Sequence, residues 1–221
     1  MEAQALVTSL IVSGRALLFA LPIAVALAYA LARGRFHGRL ALDALAYAPM
    51  ALPPVVVGYL LLMTLGLRGP IGGLLFDMFG VRLAFTSAGA SIATAVMTLP
   101  MMIRAVRLSL EAQDPGLDEA ARTLGAGLWD RIVSLHLPLA WPGILAAAVI
   151  GFSAGLGEFG AVITFAANIP GQTQTLPMAI YSVMQMPDGD AAAARLAAIS
   201  IALAFAGLLG AEAIARWSRR R

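Results

Sequence analysis

The sequence predicts an all-α integral membrane protein. Of its 221 residues, 60% are hydrophobic and 12% are charged, against about 25% charged in soluble domains. Apolar runs of bilayer length also recur along it. A helix needs about 20 residues to cross about 30 Å of hydrocarbon, and residues 6–32, 42–67, 83–103, 142–165 and 191–215 each provide them. Five transmembrane helices are therefore expected, within a single transmembrane domain over residues 1–221.

The first run follows a segment with Glu2 and no basic residue, and it exceeds the apolar stretch of a cleaved leader, so it is expected to remain in the mature chain. It carries Arg15 inside its length. Every one of the fifteen basic residues is Arg. Arg33, Arg35 and Arg39 follow span one. Arg104, Arg107, Arg122 and Arg131 lie between spans three and four, and Arg216, Arg219, Arg220 and Arg221 close the chain. Five spans place these three groups on one face, so the positive-inside rule puts the N-terminus outside and the C-terminus inside. Topology then accounts for the basic balance, and a nucleic-acid partner gains no support.

Span two contains Pro53-Pro54, which removes two N–H donors from the helical ladder. Either a simple kink or a gate hinge, with Gly58 one turn on, fits that break. Between spans three and four lies a polar loop of residues 108–138. Asp114-Pro115 is a helix start, Gly125 and Gly127 interrupt the helix, and a second short helix from Leu128 is expected to stop at Pro138 and Pro142. In span four, Gly151 and Gly155 have small-xxx-small spacing for close helix packing. Glu158, within Gly157-Glu158-Phe159-Gly160, is an intramembrane carboxylate that needs a partner or a wet cavity. The apolar piece 176–186 is too short to cross and is bounded by Pro177 and Pro187. It is expected to be a short outer re-entrant or surface helix.

Candidate chemistry is sparse. The chain has no Cys, and its two histidines, His37 and His136, fall in cytoplasmic segments without metal or catalytic spacing, so neither a catalytic nor a metal site is expected. No G-x-x-x-x-G-K-[ST] loop is present, so nucleotide hydrolysis would belong to a partner.

Glu119-Ala120-Ala121, then Gly125 after three residues, Leu135 after nine more, then Leu137-Pro138, resembles the E-A-A-x3-G-x9-I-x-L-P signature of ABC-importer permeases. Leu135 stands where Ile is usual. The resemblance implies that this loop is a coupling helix docked on a cytoplasmic ATPase, with Glu119, Ala120, Ala121, Arg122, Thr123, Gly125, Leu137 and Pro138 as its contact and turn residues. The segments "LARGRFHGRLALDALAYAPMALPPVVVGYLLLMTLGLRGPIGGLL" and "GEFGAVITFAANIPGQTQTLPMAIYSVMQMPDGDAAAARLAAISIAL" narrow it to the molybdate permeases, over nearly the whole length.

A multi-pass subunit of the cell (inner) membrane is thereby implied. It would form a homodimer, bind two ATPase subunits that hold ATP and Mg, receive an extracytoplasmic molybdate-binding protein, and pass as substrate molybdate or the similarly sized and charged tungstate. Another oxyanion such as sulfate, or a passive anion channel, remains the alternative. Pro53, Pro54, Gly58, Gly157, Glu158, Phe159, Gly160 and Thr164 are the expected path or gate residues. Where the family commonly has an Arg one turn before that Glu, this chain has Ala154. Arg15, at similar depth, is expected to pair with Glu158 instead.

Overall fold

The computed structural model describes residues 2–34 and 36–218, with side chains through Gly207. Arg35, Arg219, Arg220 and Arg221 of the arginine count lie outside the described residues, as does the side chain of Arg216. The described residues are helical throughout: α1 (Glu2–Arg33), α2 (Arg39–Ala51), α3 (Pro54–Leu65), α4 (Pro70–Phe79), α5 (Ser87–Glu111), α6 (Pro115–Thr123), α7 (Leu128–Arg131), α8 (Leu137–Leu156), α9 (Gly160–Ala166), α10 (Leu176–Met184) and α11 (Asp190–Ser218).

Four helical stretches are long and apolar enough to cross a membrane: α1, α5, residues 128–156, and α11. The fifth expected span is two helices, α2 and α3, meeting at 115°. Pro53 and Pro54 explain the bend, because Pro54 is the first residue of α3, where its missing N–H costs nothing. The fourth span departs from expectation at both ends. Its helix begins earlier and ends at Leu156, and the chain restarts as α9 after Gly157, Glu158 and Phe159.

Pro138 and Pro142 do not stop the second loop helix. Ile132–His136 forms a π-helical turn in which the Leu137 N–H reaches the Ile132 carbonyl, so the chain enters α8 with Pro138 near its start. Pro142 then sits inside α8, a position tolerated in helices that cross lipid. Apolar helix α4 was not anticipated; it fills the connection between spans two and three.

Small residues hold the bundle together. Ala16, Ala20, Ala24 and Ala28 recur every fourth position on the buried face of α1 and let it approach closely. Ala20, Ala24, Ala28 and Leu31 pack with Met102, Ile103, Val106 and Leu110 of α5 and with Ala140 and Ala147 of α8. Gly151 and Gly155 continue this seam on α8, and a Cβ on Gly155 would sit 3.0 Å from the Thr94 methyl. Leu18 and Phe19, on the opposite side of α1, are 73% and 68% exposed, as side chains facing lipid would be. Within the core the seam carries no charge, and it leaves the ends of α1, α5 and α8 together to receive α6.

Candidate functional site

The polar loop folds as a short helix tied down along one face. Asp114 caps α6, its Oδ1 accepting from the Gly116 N–H at 2.9 Å, and Pro115 follows at the first helical position. At the other end, Gly125 takes φ 84. Its N–H donates to the Arg122 carbonyl, and the Ala126 N–H donates to the Ala121 carbonyl. This paired closure needs the left-handed conformation that glycine adopts freely. Gly125 is thus the terminator of α6, as its spacing predicted.

Asp118 is the hub of the tied face. Its carboxylate takes Arg131 Nη1 at 2.7 Å, Arg122 Nη2 at 2.8 Å and His136 Nε2 at 3.1 Å, and its side chain is only 15% exposed. Burial pushes the Asp118 carboxyl up, but the bonds from Arg131 and His136 and the charges of Arg122 and Arg131 outweigh it and hold the group below the usual carboxylate range. The next shell reaches the bundle. Gln113 Nε2 donates to the His136 carbonyl at 3.0 Å, and Gln113 Oε1 lies 2.8 Å from His136 Nδ1. Arg33, at the end of α1, donates to the Leu110 carbonyl at 2.9 Å and to Gln113 Oε1 at 3.3 Å. The Tyr29 ring tilts against His136, with centroids 5.6 Å apart. In this way α6 is tethered to the ends of α1 and α5 and to the turn leading into α8.

The other face of α6 is open. Glu119, Ala120, Arg122 and Thr123 are exposed, and Glu119 makes no hydrogen bond or ion pair with the described residues. Leu124 is 87% exposed and Trp129 77%, with Leu117 and Leu128 exposed beside them. These exposed apolar residues neighbour in sequence a carboxylate without a partner among the described residues, a composition that docking surfaces share. Leu137 and Pro138 begin α8 and share one groove with Trp129, Leu21 and Tyr29.

The expected path residues gather at a second place. α3 lies against α9 so closely that a Cβ on Gly58 would fall 2.6 Å from the Ala161 carbonyl oxygen and 2.8 Å from the Thr164 Cβ. A Cβ on Gly160 would fall 2.7 Å from the Pro54 Cβ. Thr164 Oγ1 donates to the Gly160 carbonyl at 2.8 Å, so its hydroxyl is used within α9. Phe159 tilts against Tyr181 of α10 at 5.3 Å between centroids. Pro54, Gly58, Gly160 and Thr164 therefore form one contact between α3 and α9, which Pro53, Glu158 and Phe159 adjoin in sequence, while Gly157 is exposed.

The Arg15–Glu158 ion pair is not formed. Glu158 Oε1 instead accepts from the Ala161 N–H at 3.0 Å, satisfying a free donor at the start of α9. Arg15 Nη1 lies 3.4 Å from Ser87 Oγ at the start of α5, in a cleft also lined by Gln4, Thr8, Thr86 and Gln172. The restart of the chain at Gly160 supplies Glu158 with a partner the sequence did not reveal.

Sequence reasoning also missed Asp118, Gln113 and Arg33. One signal was available, the i, i+4 spacing of Asp118 and Arg122. Nothing in the order of residues pointed to His136 or Gln113 as its neighbours.

The family described as "Binding-protein-dependent transport system inner membrane component" matches residues 20–220. The chain is 52% identical to the molybdenum transport system permease protein ModB of Escherichia coli (strain K12) over 220 residues, covering 100% of this chain and 96% of that relative. It is 43% identical to the protein of the same name in Haemophilus influenzae over 221 residues, again covering 100% and 96%. Among solved structures, a chain of a bacterial alginate ABC transporter in complex with an alginate pentasaccharide-bound periplasmic protein matches at a TM-score of 0.78 and 22% identity, covering 97% of this chain and 78% of that one.

Proposed function

This chain belongs to the inner membrane components of binding-protein-dependent transport systems, and from that premise we propose that it is the permease subunit of an ABC importer that moves molybdate into the cytoplasm. It is a multi-pass inner membrane protein. The observation that carries the substrate is identity to molybdenum permeases across essentially the whole length of both chains. The coupling role is supported by α6, whose exposed Glu119 makes no bond to the described residues, and by the exposed Leu124 at its end and Trp129 on α7.

In this reading the chain crosses the membrane five times, with α2 and α3 together forming one broken span, the N-terminus outside and the C-terminus inside. Two copies pair around a central route, two ATPase subunits that bind ATP and Mg dock on the α6 faces, and a binding protein delivers the oxyanion from the other side. Pairing is supported by the exposed apolar residues of α3, Tyr59 and Met63 among them, which face away from the chain's own core. ATP-driven closure of the ATPases pulls on α6. The ends of α1, α5 and α8, held to it through Asp118 and Gln113, turn with it, and the α3–α9 contact opens or closes the route.

Proteoliposomes containing this chain with its ATPase and binding protein test the reading directly. Uptake of molybdate or tungstate, dependent on ATP and absent for sulfate, is expected. Uptake that proceeds without ATP would make the chain a passive anion channel, and ATP-driven sulfate uptake would move it to another oxyanion.

A further inference from the structure

The bonds around His136 fix a charge as well as a position. Arg33 can only donate and the His136 carbonyl can only accept, so the Gln113 amide must turn its Oε1 toward Arg33 and its Nε2 toward the carbonyl. That same Oε1 lies 2.8 Å from His136 Nδ1, which must then carry hydrogen. On the other side of the ring, Nε2 lies 3.1 Å from Asp118 Oδ1. Arg122 and Arg131 both bond the Asp118 carboxylate, which is ionised and can only accept. Nε2 must donate as well, and an imidazole that donates from both nitrogens is the imidazolium.

We propose that His136 is doubly protonated whenever α6 is seated, and that Asp118, His136 and Gln113 form a proton-dependent latch positioning the coupling helix on the bundle. Loss of either proton leaves two acceptors facing each other, at Gln113 or at Asp118, and one of the two bonds that join α6 to the ends of α1 and α5 is lost. Every charged or titratable group around the ring enters the balance. Burial and the guanidiniums of Arg33 and Arg131 oppose the second proton. Asp118 favours it, and Arg122 acts through Asp118, while Tyr29 contributes only its ring face. These are positioning residues, and their consequence for transport rests on the coupling role proposed above. The charge state does not.

The test uses the full chain in lipid nanodiscs, labelled with ¹⁵N-histidine in a His37→Asn background so that one ring reports. Because the chain contains no Cys, a single ¹⁹F probe can be placed at Leu124→Cys, on the exposed end of α6. Over a titration from about pH 5.5 to 8.5, the ring should carry two protons at the acid end and lose one as pH rises, with the ¹⁹F probe moving to a second position in step. In Asp118→Asn the second proton should be lost at a lower pH, and the probe should occupy the second position already at the acid end. A ring with one unprotonated nitrogen across the whole range, or a probe that ignores the ring's titration, overturns the latch. In the assembled transporter, ATP hydrolysed per ion imported should rise with pH, and His136→Gln should flatten that dependence. If ring and probe titrate together while this ratio stays constant, the latch stands and the coupling role of α6 falls.

Discussion

The coupling segment and the α3–α9 contact are joined through one bundle but are built on opposite principles. α6 buries no residue fully and is held by directional bonds converging on one carboxylate. The α3–α9 contact has no ion pair among the described residues and is held by shape, with two glycines admitting neighbouring backbone. A charge network tolerates changes of volume and fails when one partner is neutralised, because the remaining charges stay buried without compensation. A steric contact tolerates changes of polarity at its edges and fails when a methyl group is added. On the proposed function the difference would suit two jobs: a segment that receives force needs a defined tether, and a contact that moves needs surfaces able to slide.

The largest stability effect is expected at the tether. Asp118→Ala removes the partner of Arg131 and His136 together, and a hydrogen bond to a charged group is worth about 1.5 to 3 kcal/mol. A lower thermal midpoint in detergent and faster proteolysis between Thr123 and Leu128 should follow. A midpoint within a degree or so of the parent would show that the network is decorative, and the contrast between the two regions would collapse. pH acts on the same group. Because Asp118 titrates below its ordinary range in the folded chain, its contribution is fully present above the ordinary carboxylate range and is lost only as pH falls through the depressed value. Acidification toward that region should narrow the stability gap between the parent and Asp118→Asn, and a gap that widened there would contradict the assignment.

Next in size is Gly58→Ala. The added methyl group meets the Ala161 carbonyl and the Thr164 Cβ, neither of which is the free end of a flexible side chain, so about 1 to 3 kcal/mol is expected from overpacking alone. Larger residues should be worse in order of volume, whereas Thr164→Gly, which takes away the Cβ that the new methyl meets, should partly rescue Gly58→Ala. Thermal midpoints of the two single variants and the double variant provide the cycle. Strict additivity would mean that Gly58 and Thr164 do not share the contact.

These two regions were unequally legible in the sequence. Apolar length identifies α1, α5 and α11, because a membrane span depends on composition summed over about 20 residues and hardly on neighbours. Pro53-Pro54 announces its own break, since the missing donors are a local property. The break after Leu156 carries a weaker local signal: Gly157 and Gly160 weaken a helix without forbidding one, and the close approach of α9 to α3 is visible only in the fold. Glu158 was singled out correctly as costly, yet its partner was sought in a charge, Arg15, when a backbone N–H three residues on satisfies it. The E-A-A spacing marks the α6 face that remains exposed. Asp118, one residue earlier, points inward, and its partners at Arg131 and His136 are 13 and 18 residues away, separations that acquire meaning only once the π-helical turn sets both toward α6.

The smallest expected effect on stability, Glu119→Ala, separates the two faces of α6 most sharply. Glu119 stands beside Asp118 in sequence, carries the same charge and sits on the same helix, but it makes no bond to the described residues. Its removal should change the thermal midpoint by less than about 0.5 kcal/mol equivalent. If the exposed face docks on an ATPase, the same change should sharply reduce ATP-dependent uptake and weaken co-purification of the ATPase, while Asp118→Asn loses stability and uptake together. An intact Glu119→Ala transporter would leave the open face without a charge-based role. Docking would then rest on Leu124, Trp129 and their apolar neighbours, and a Leu124→Asp variant, stable for the same reason of exposure, would decide whether that apolar surface or no surface at all receives the partner.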